Sequence, residues 1–175
     1  KCTNKQETNK VIEEKLSSPL EKLYPKYNSF KAGFVELIYS KEDMPVNIKT
    51  KYAVYKLNGY FSEKEVFEDD GSIEHIIPES TGEKALNIGN LILLEQKLNQ
   101  EAGEKEYSEK LCYYKDSKYD WIQKFIKENN SWSEGKIKNR ADQLAEIYYK
   151  EVLGRDIAES DNIMITKLSK STRNL

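Results

Sequence analysis

A mainly α-helical chain with one small two-stranded β hairpin is the fold class the sequence predicts, and three observations predict it. Apolar residues recur at helical spacing on both sides of the chain's middle, as in Phe30/Phe34/Leu37/Ile38 and Ile137/Ala141/Leu144/Tyr148/Val152. Between them, Ser72-Ile73-Glu74-His75-Ile76-Ile77 alternates, with Ser72, Glu74 and Ile76 on one parity. Pro78 then stops the run, because it cannot donate to a ladder. A second short apolar run, Leu91-Ile92-Leu93-Leu94, suits a buried strand and passes straight into the helix formers Glu95-Gln96-Lys97-Leu98.

Taken in order, residues 1–10 are polar, and Ile12 and Leu16 lie one helical turn apart. Ser18-Pro19 resembles an N-cap followed by proline at the first helical position. Ser29 is placed to cap the helix carrying Phe30 to Ile38, and Lys41 to Asn47 forms a loop around Pro45. Val54, Leu57 and Phe61 predict a helix over about 48–60, with Asn58-Gly59 near its end. An acidic stretch, Glu63 to Asp70, leads through Asp70-Gly71 into the first strand, and Asn87-Ile88-Gly89-Asn90 is a turn signal before the second. Asn99 falls about one turn into the following helix. Tyr107, Leu111 and Tyr114 share a helical face, Ser117 is placed to cap the run holding Trp121, Ile122, Phe125 and Ile126, and Ser133 opens the longest helix. Gly154 is its expected C-cap. A two-stranded hairpin is marginal alone, so the flanking helices must hold it.

With 30 acidic and 28 basic residues the net charge is -2, which excludes a whole-surface basic field; any nucleic-acid contact must come from a local patch. No run of about 18 apolar residues exists, and no charged-then-apolar leader is visible, so a cytoplasmic protein without a membrane span is expected. Cys2 and Cys112 are far apart and form no CxxC, which suggests neither a disulfide framework nor a zinc knuckle. The chain begins with Lys1 and is expected to be a fragment or subunit of something longer. Three parts are expected: 1–45, a helical segment that could be the remnant of a preceding domain; 46–155, the functional domain with its flanking helices; and 156–175, a tail.

The chemistry concentrates in Glu74-His75, Asn90 and Asn99. His75 is the only histidine, and imidazole, with an ordinary pKa of about 6.5, can take a proton near neutral pH. The frame I-E-H-I-I-P, G-N-L-I-L-L, L-N resembles the HNH nucleases, and most closely the HNH domains that end modification-dependent restriction proteins of the GmrSD type. The resemblance continues through Tyr107-Ser108-Glu109-Lys110, Trp132, Ile137 and Arg140, covering roughly residues 50–150. It implies a ββα-metal (HNH, His-Me finger) core embedded in helices and an endonuclease that hydrolyses DNA phosphodiester bonds in restriction or antiviral defence. By the same resemblance, His75 activates water, Glu74 and Asn99 hold Mg²⁺ or Mn²⁺, and Asn90 braces the loop and aims the histidine. Lys105, Lys110 and Arg140 are candidate phosphate contacts, each with a solvated surface role as the alternative.

Two departures from the resembled pattern matter. Glu74 stands where many HNH proteins carry Asp, and Asn99 replaces the histidine of the name, which favours hard-oxygen coordination of Mg²⁺ or Mn²⁺ over softer ions. Glu74 and His75 also point to opposite faces of a regular strand, so a bulge or twist at the strand end near Pro78 would be needed to bring them to one site. The implied partners are DNA, with modified phage DNA a candidate, and an N-terminal NTP-hydrolysing sensor domain or subunit outside this chain, since no P-loop is present here. Two rivals stay open: a module that keeps the HNH shape without catalysis, and an RNA-directed nuclease. For each residue a plainer role is also open: His75 as a structural histidine, Asn90 as a turn residue, Asn99 as an exposed helix polar residue. Trp121, Trp132, Tyr113-Tyr114 and Tyr148-Tyr149 read as packing.

Overall fold

The computed structural model of the protein describes residues 24–42, 44–62 and 71–157. Strands β1 (Gly71–His75) and β2 (Leu91–Glu95) pair antiparallel, with Gly71 opposite Glu95 and His75 opposite Leu91. Leu91 to Leu94 are all buried, which is why β2 reads as an unbroken apolar run; helices cover both faces of the ribbon. Before the ribbon come α1 (Tyr27–Phe34) and α2 (Asn47–Phe61); after it come α3 (Gln96–Ala102), α4 (Tyr107–Lys115), α5 (Asp120–Glu128) and α6 (Glu134–Ile147). Three short 3₁₀ turns, Glu79–Thr81, Glu83–Leu86 and Ile88–Asn90, connect the strands, and α6 runs on into a π turn, Tyr148–Val152. The fold is thus mainly helical with one small antiparallel hairpin, as the apolar periodicities predict.

Departures from the expected elements have local causes. The first described helix starts at Tyr27, with Lys26 at its N-cap, so Ser29 lies inside it. It also ends at Phe34: Leu37 and Ile38 are extended, because Ile88 N–H donates to Leu37 O at 2.8 Å and Tyr39 N–H donates to Leu86 O at 2.9 Å. An isolated bridge between Ile38 and Asn87 completes this short ladder, which pairs Leu37-Ile38-Tyr39 across to the loop before β2 in place of another helical turn. Ser117 caps a turn, accepting from Tyr119 N–H at 3.2 Å, and α5 begins three residues later. Ser133 stands at the N-cap of α6, and Gly154 after the π turn takes a left-handed φ of 61°. The helical turns expected around Ile12–Leu16 and Ser18-Pro19, the acidic stretch 63–70 and the tail from 158 lie outside the described residues.

One continuous core joins these elements. Val54 and Leu57 of α2 and Ile122 of α5 are fully buried with the ribbon residues. Phe30 and Phe34 of α1 pack on Tyr148 and Tyr149 at centroid distances of 5.2–6.0 Å, tying α1 to the end of α6. Trp121 stacks on Phe61 at 5.2 Å and Trp132 meets Phe125 edge-on at 5.0 Å, so both tryptophans pack against the core.

Candidate functional site

β1 and β2 pair residue for residue with no bulge among the described positions, so Glu74 and His75 leave the strand on opposite faces. Both are buried, each 2% exposed. The ladder itself thus supplies no bulge over Gly71–His75, and the two side chains are anchored separately.

On one face, Glu74 Oε1 accepts from Lys110 Nζ at 2.8 Å and from the Tyr114 hydroxyl at 2.8 Å. Lys110 Nζ also donates to His75 O at 2.6 Å, so one ammonium ties the carboxylate to the backbone of the next residue. Burial pushes the Glu74 carboxyl up from its usual range, and the Lys110 ammonium and Tyr114 hydroxyl oppose that shift. Asn99 lies on this side as well: its amide NH₂ donates to Ser72 Oγ at 2.8 Å and to Ile73 O at 2.9 Å. Its Oδ1 is the atom that it could offer a cation.

On the other face, His75 Nε2 lies 2.9 Å from Tyr39 O. A carbonyl only accepts, so Nε2 carries the proton and Nδ1 is left with a lone pair. Nδ1 is buried and has no hydrogen-bond partner. Glu79 Oε2, four residues on and directly after Pro78, is 4.0 Å from it. Glu79 is itself anchored: Ser40 Oγ donates to Oε1 at 2.5 Å, and Lys41 N–H donates to both oxygens at 3.0–3.1 Å. Burial pushes the imidazole pKa down, against the Tyr39 hydrogen bond and the Glu79 carboxylate. Two ammonium groups, Lys41 and Lys110, act electrostatically on both Glu74 and His75, so the two faces meet one field.

The loop between the strands is held by Asn90, which is fully buried and saturated. Its Oδ1 accepts from Ile77 N–H at 2.9 Å and Trp132 Nε1–H at 3.1 Å; its NH₂ donates to Ile77 O and Ala85 O, both at 2.8 Å. Gly89 beside it packs on α6 so closely that a Cβ there would meet Ile137 O at 2.0 Å; only glycine fits. Arg140 of α6 reaches back, donating from Nη1 to Gly89 O and Leu91 O, both at 2.8 Å. Its guanidinium sits 4.9–5.8 Å from the Trp121, Phe125 and Trp132 ring centroids. Burial lowers its pKa to about 9, which leaves it charged at neutral pH.

Of the three expected phosphate contacts, the structure turns two inward. Lys110 and Arg140 are 1% and 7% exposed and hold internal acceptors, for the physical reason that each lies on the buried stripe of its helix. Lys105 is exposed, donates to Glu101 O at 2.5 Å, and stands 5.2 Å from the Tyr113 ring centroid. Residues that the sequence did not single out complete the surroundings: Tyr39, Lys41, Glu79, Ser80 and Glu104. The i,i+4 spacing of His75 and Glu79 was a cue; nothing local marked the others.

Among the described residues no group of three or more His, Cys, Asp or Glu could hold a metal ion. Mg²⁺ asks for less, since it keeps several waters and takes one or two carboxylates together with substrate phosphates. Glu74, with Oε1 engaged and Oε2 remaining, and the Asn99 amide oxygen are a hard-oxygen donor set of that kind. By donor chemistry the pair suits a hard divalent cation better than a softer one.

A family model described as GmrSD restriction endonucleases, C-terminal domain, matches residues 24–147. Comparisons with curated proteins and with solved structures gave no match.

Proposed function

The chain belongs to the family of GmrSD restriction endonuclease C-terminal domains, and we propose that it is the nuclease module of a restriction system, an HNH-type endonuclease that hydrolyses DNA phosphodiester bonds with His75 as general base. The observation that carries this is the His75 ring: one nitrogen is fixed as a donor to Tyr39 O, and the other is kept as an unpartnered acceptor. Buried polar atoms are nearly always satisfied, so an orphaned acceptor on the only imidazole calls for a functional explanation.

In this proposal Nδ1 takes the proton of the attacking water as its oxygen bonds to phosphorus and the bond to the 3′ oxygen breaks. A positioned general base contributes about 10²–10⁴-fold. Glu79 Oε2, 4.0 Å away, stabilises the imidazolium that results. Because Nδ1 is buried, the attacking water reaches it only as neighbouring groups yield; the Glu79 carboxylate at 4.0 Å and the Tyr39 ring at 5.9 Å between centroids are two such neighbours. Glu74 and Asn99 would hold Mg²⁺ or Mn²⁺ on the face of β1 opposite His75, so in this proposal the scissile phosphate lies across the end of the strand, where the ion when bound supplies Lewis-acid stabilisation of charge. Lys110 and Tyr114 orient the Glu74 carboxylate, and Asn90 fixes the loop against which β1 ends.

His75→Ala is expected to abolish nicking of plasmid DNA in Mg²⁺ while the far-ultraviolet spectrum stays that of the parent; equal cutting by the variant would remove His75 from the chemistry. A second reading, an HNH-shaped module without catalysis, is favoured by one observation: Lys110 and Tyr114 already occupy Glu74 Oε1. Titration calorimetry separates the two. Mg²⁺ or Mn²⁺ binding that disappears in Glu74→Gln supports the nuclease, and complete absence of binding in the parent supports the scaffold. Side-by-side digestion of DNA and RNA assigns the sugar.

A further inference from the structure

We infer that Lys41 and Ser80 form an anion cradle for a DNA phosphate beside His75, and that the Glu104 carboxylate occupies that cradle until DNA displaces it. This rests on the reading of His75 as a nuclease site. Lys41 Nζ is 2.5 Å from Glu104 Oε1, and Ser80 Oγ donates to Glu104 Oε2 at 2.6 Å. An ammonium and a hydroxyl converging on the two oxygens of one anion are the donor types that also bind phosphate.

The cradle is wired to the imidazole on both sides. The backbone N–H of Lys41 donates to Glu79, whose Oε2 faces His75 Nδ1, and Ser80 follows Glu79 in the chain. Tyr39, whose carbonyl holds His75, lies two residues before Lys41. The Lys41 charge also acts on both Glu74 and His75.

Two cations buried near the strand end, Lys110 and Arg140, are not free to do this. Lys110 is buried between Glu74 and His75 O, and Arg140 is buried among three rings and two carbonyls. Lys41 and Glu104, by contrast, keep 58% and 49% of their side chains exposed. An exposed ion pair contributes about 0–1 kcal/mol, so a phosphate can replace the carboxylate without unfolding anything. The internal carboxylate lowers the affinity for every incoming anion by the same factor, so only an anion that binds the cradle well, or is held nearby by other contacts, displaces it.

The test is binding of a fluorescent DNA duplex to the full chain, measured by anisotropy across a salt series without divalent ions. Lys41→Met is expected to weaken binding at low salt and to reduce the slope of log K against log salt by about 0.9, the loss of one phosphate contact. Glu104→Gln is expected to do the opposite to affinity, tightening binding several-fold with the slope unchanged. A merely structural pair would give two variants that shift together, so opposite signs support the cradle. An unchanged slope in Lys41→Met, or weaker binding in Glu104→Gln, overturns it. If His75-dependent cleavage persists while the slope does not move, the cradle alone fails; if the parent binds no duplex, cradle and nuclease fall together.

Discussion

The two ends of the inter-strand loop are built to opposite specifications. Around Asn90 itself the polar groups close: each of its amide atoms has two partners, and Arg140 Nη1 reaches two carbonyls, while Arg140 Nη2 stays buried without a partner among the rings. Around His75 they do not close: Nδ1 has no partner, Glu79 stops 4.0 Å short, and a half-exposed lysine leans on a half-exposed glutamate. A saturated buried network rigidifies, whereas an unsatisfied one keeps free energy available for a ligand. Asn90 is thus part of the frame, and His75 is the residue that the proposed function puts to use, although the sequence presents both as polar residues flanking the same apolar strands.

The comparison can be broken hardest at Lys110. Lys110→Met should leave Glu74 as an uncompensated buried carboxyl and cost about 3–5 kcal/mol, read as a drop in denaturation midpoint. A loss below 1 kcal/mol would mean that the Glu74 cluster is loosely held. Next comes Asn90→Ala, which strands Ile77 N–H, Trp132 Nε1–H and two carbonyls; about 2–3 kcal/mol of stability should go, again by denaturant unfolding. The smallest effect is the sharpest for the open end. Lys41→Met should change stability by less than about 1 kcal/mol, yet move the titration of Glu104.

That titration has a definite sign. The hydrogen bonds from Lys41 and Ser80 lower the Glu104 pKa from 4.5 to about 2. A carboxyl depressed by folding contributes stability that is fully present above its unfolded pKa and is lost as pH falls through the folded one. The Lys41–Glu104 link should therefore be intact above pH about 4.5 and fade toward pH about 2. Carboxyl ¹³C chemical shifts through an acid titration should show Glu104 titrating near 2 in the parent and nearer 4.5 in Lys41→Met.

Much of the frame was legible in the chain. Alternation ended by Pro78 located β1, the LILL run located β2, and Asn99 fell on the helix after it. Helix starts were less legible, because Ser29 and Ser117 lie near boundaries without forming them; capping residues serve turns equally well. The burial of Lys110 and Arg140 runs against the residue-type expectation, because charged side chains are seldom buried. Helical arithmetic could have corrected this: Lys110 is three residues after Tyr107 and four before Tyr114, and Arg140 is three after Ile137 and four before Leu144. Lys41, Glu104 and the Tyr39 carbonyl reach the site through tertiary approach over 36 residues or more, and no local pattern encodes such an approach.

The contact between Gly89 and Ile137 sets how the protein can be trimmed. The bend that delivers Asn90 has its floor on a helix that begins more than 40 residues later, so a piece stopping at the hairpin and its first helix would lack that floor. The shortest portable version of this unit should extend through Ile147, and a shorter one should expose the bare glycine surface and lose the imidazole's alignment.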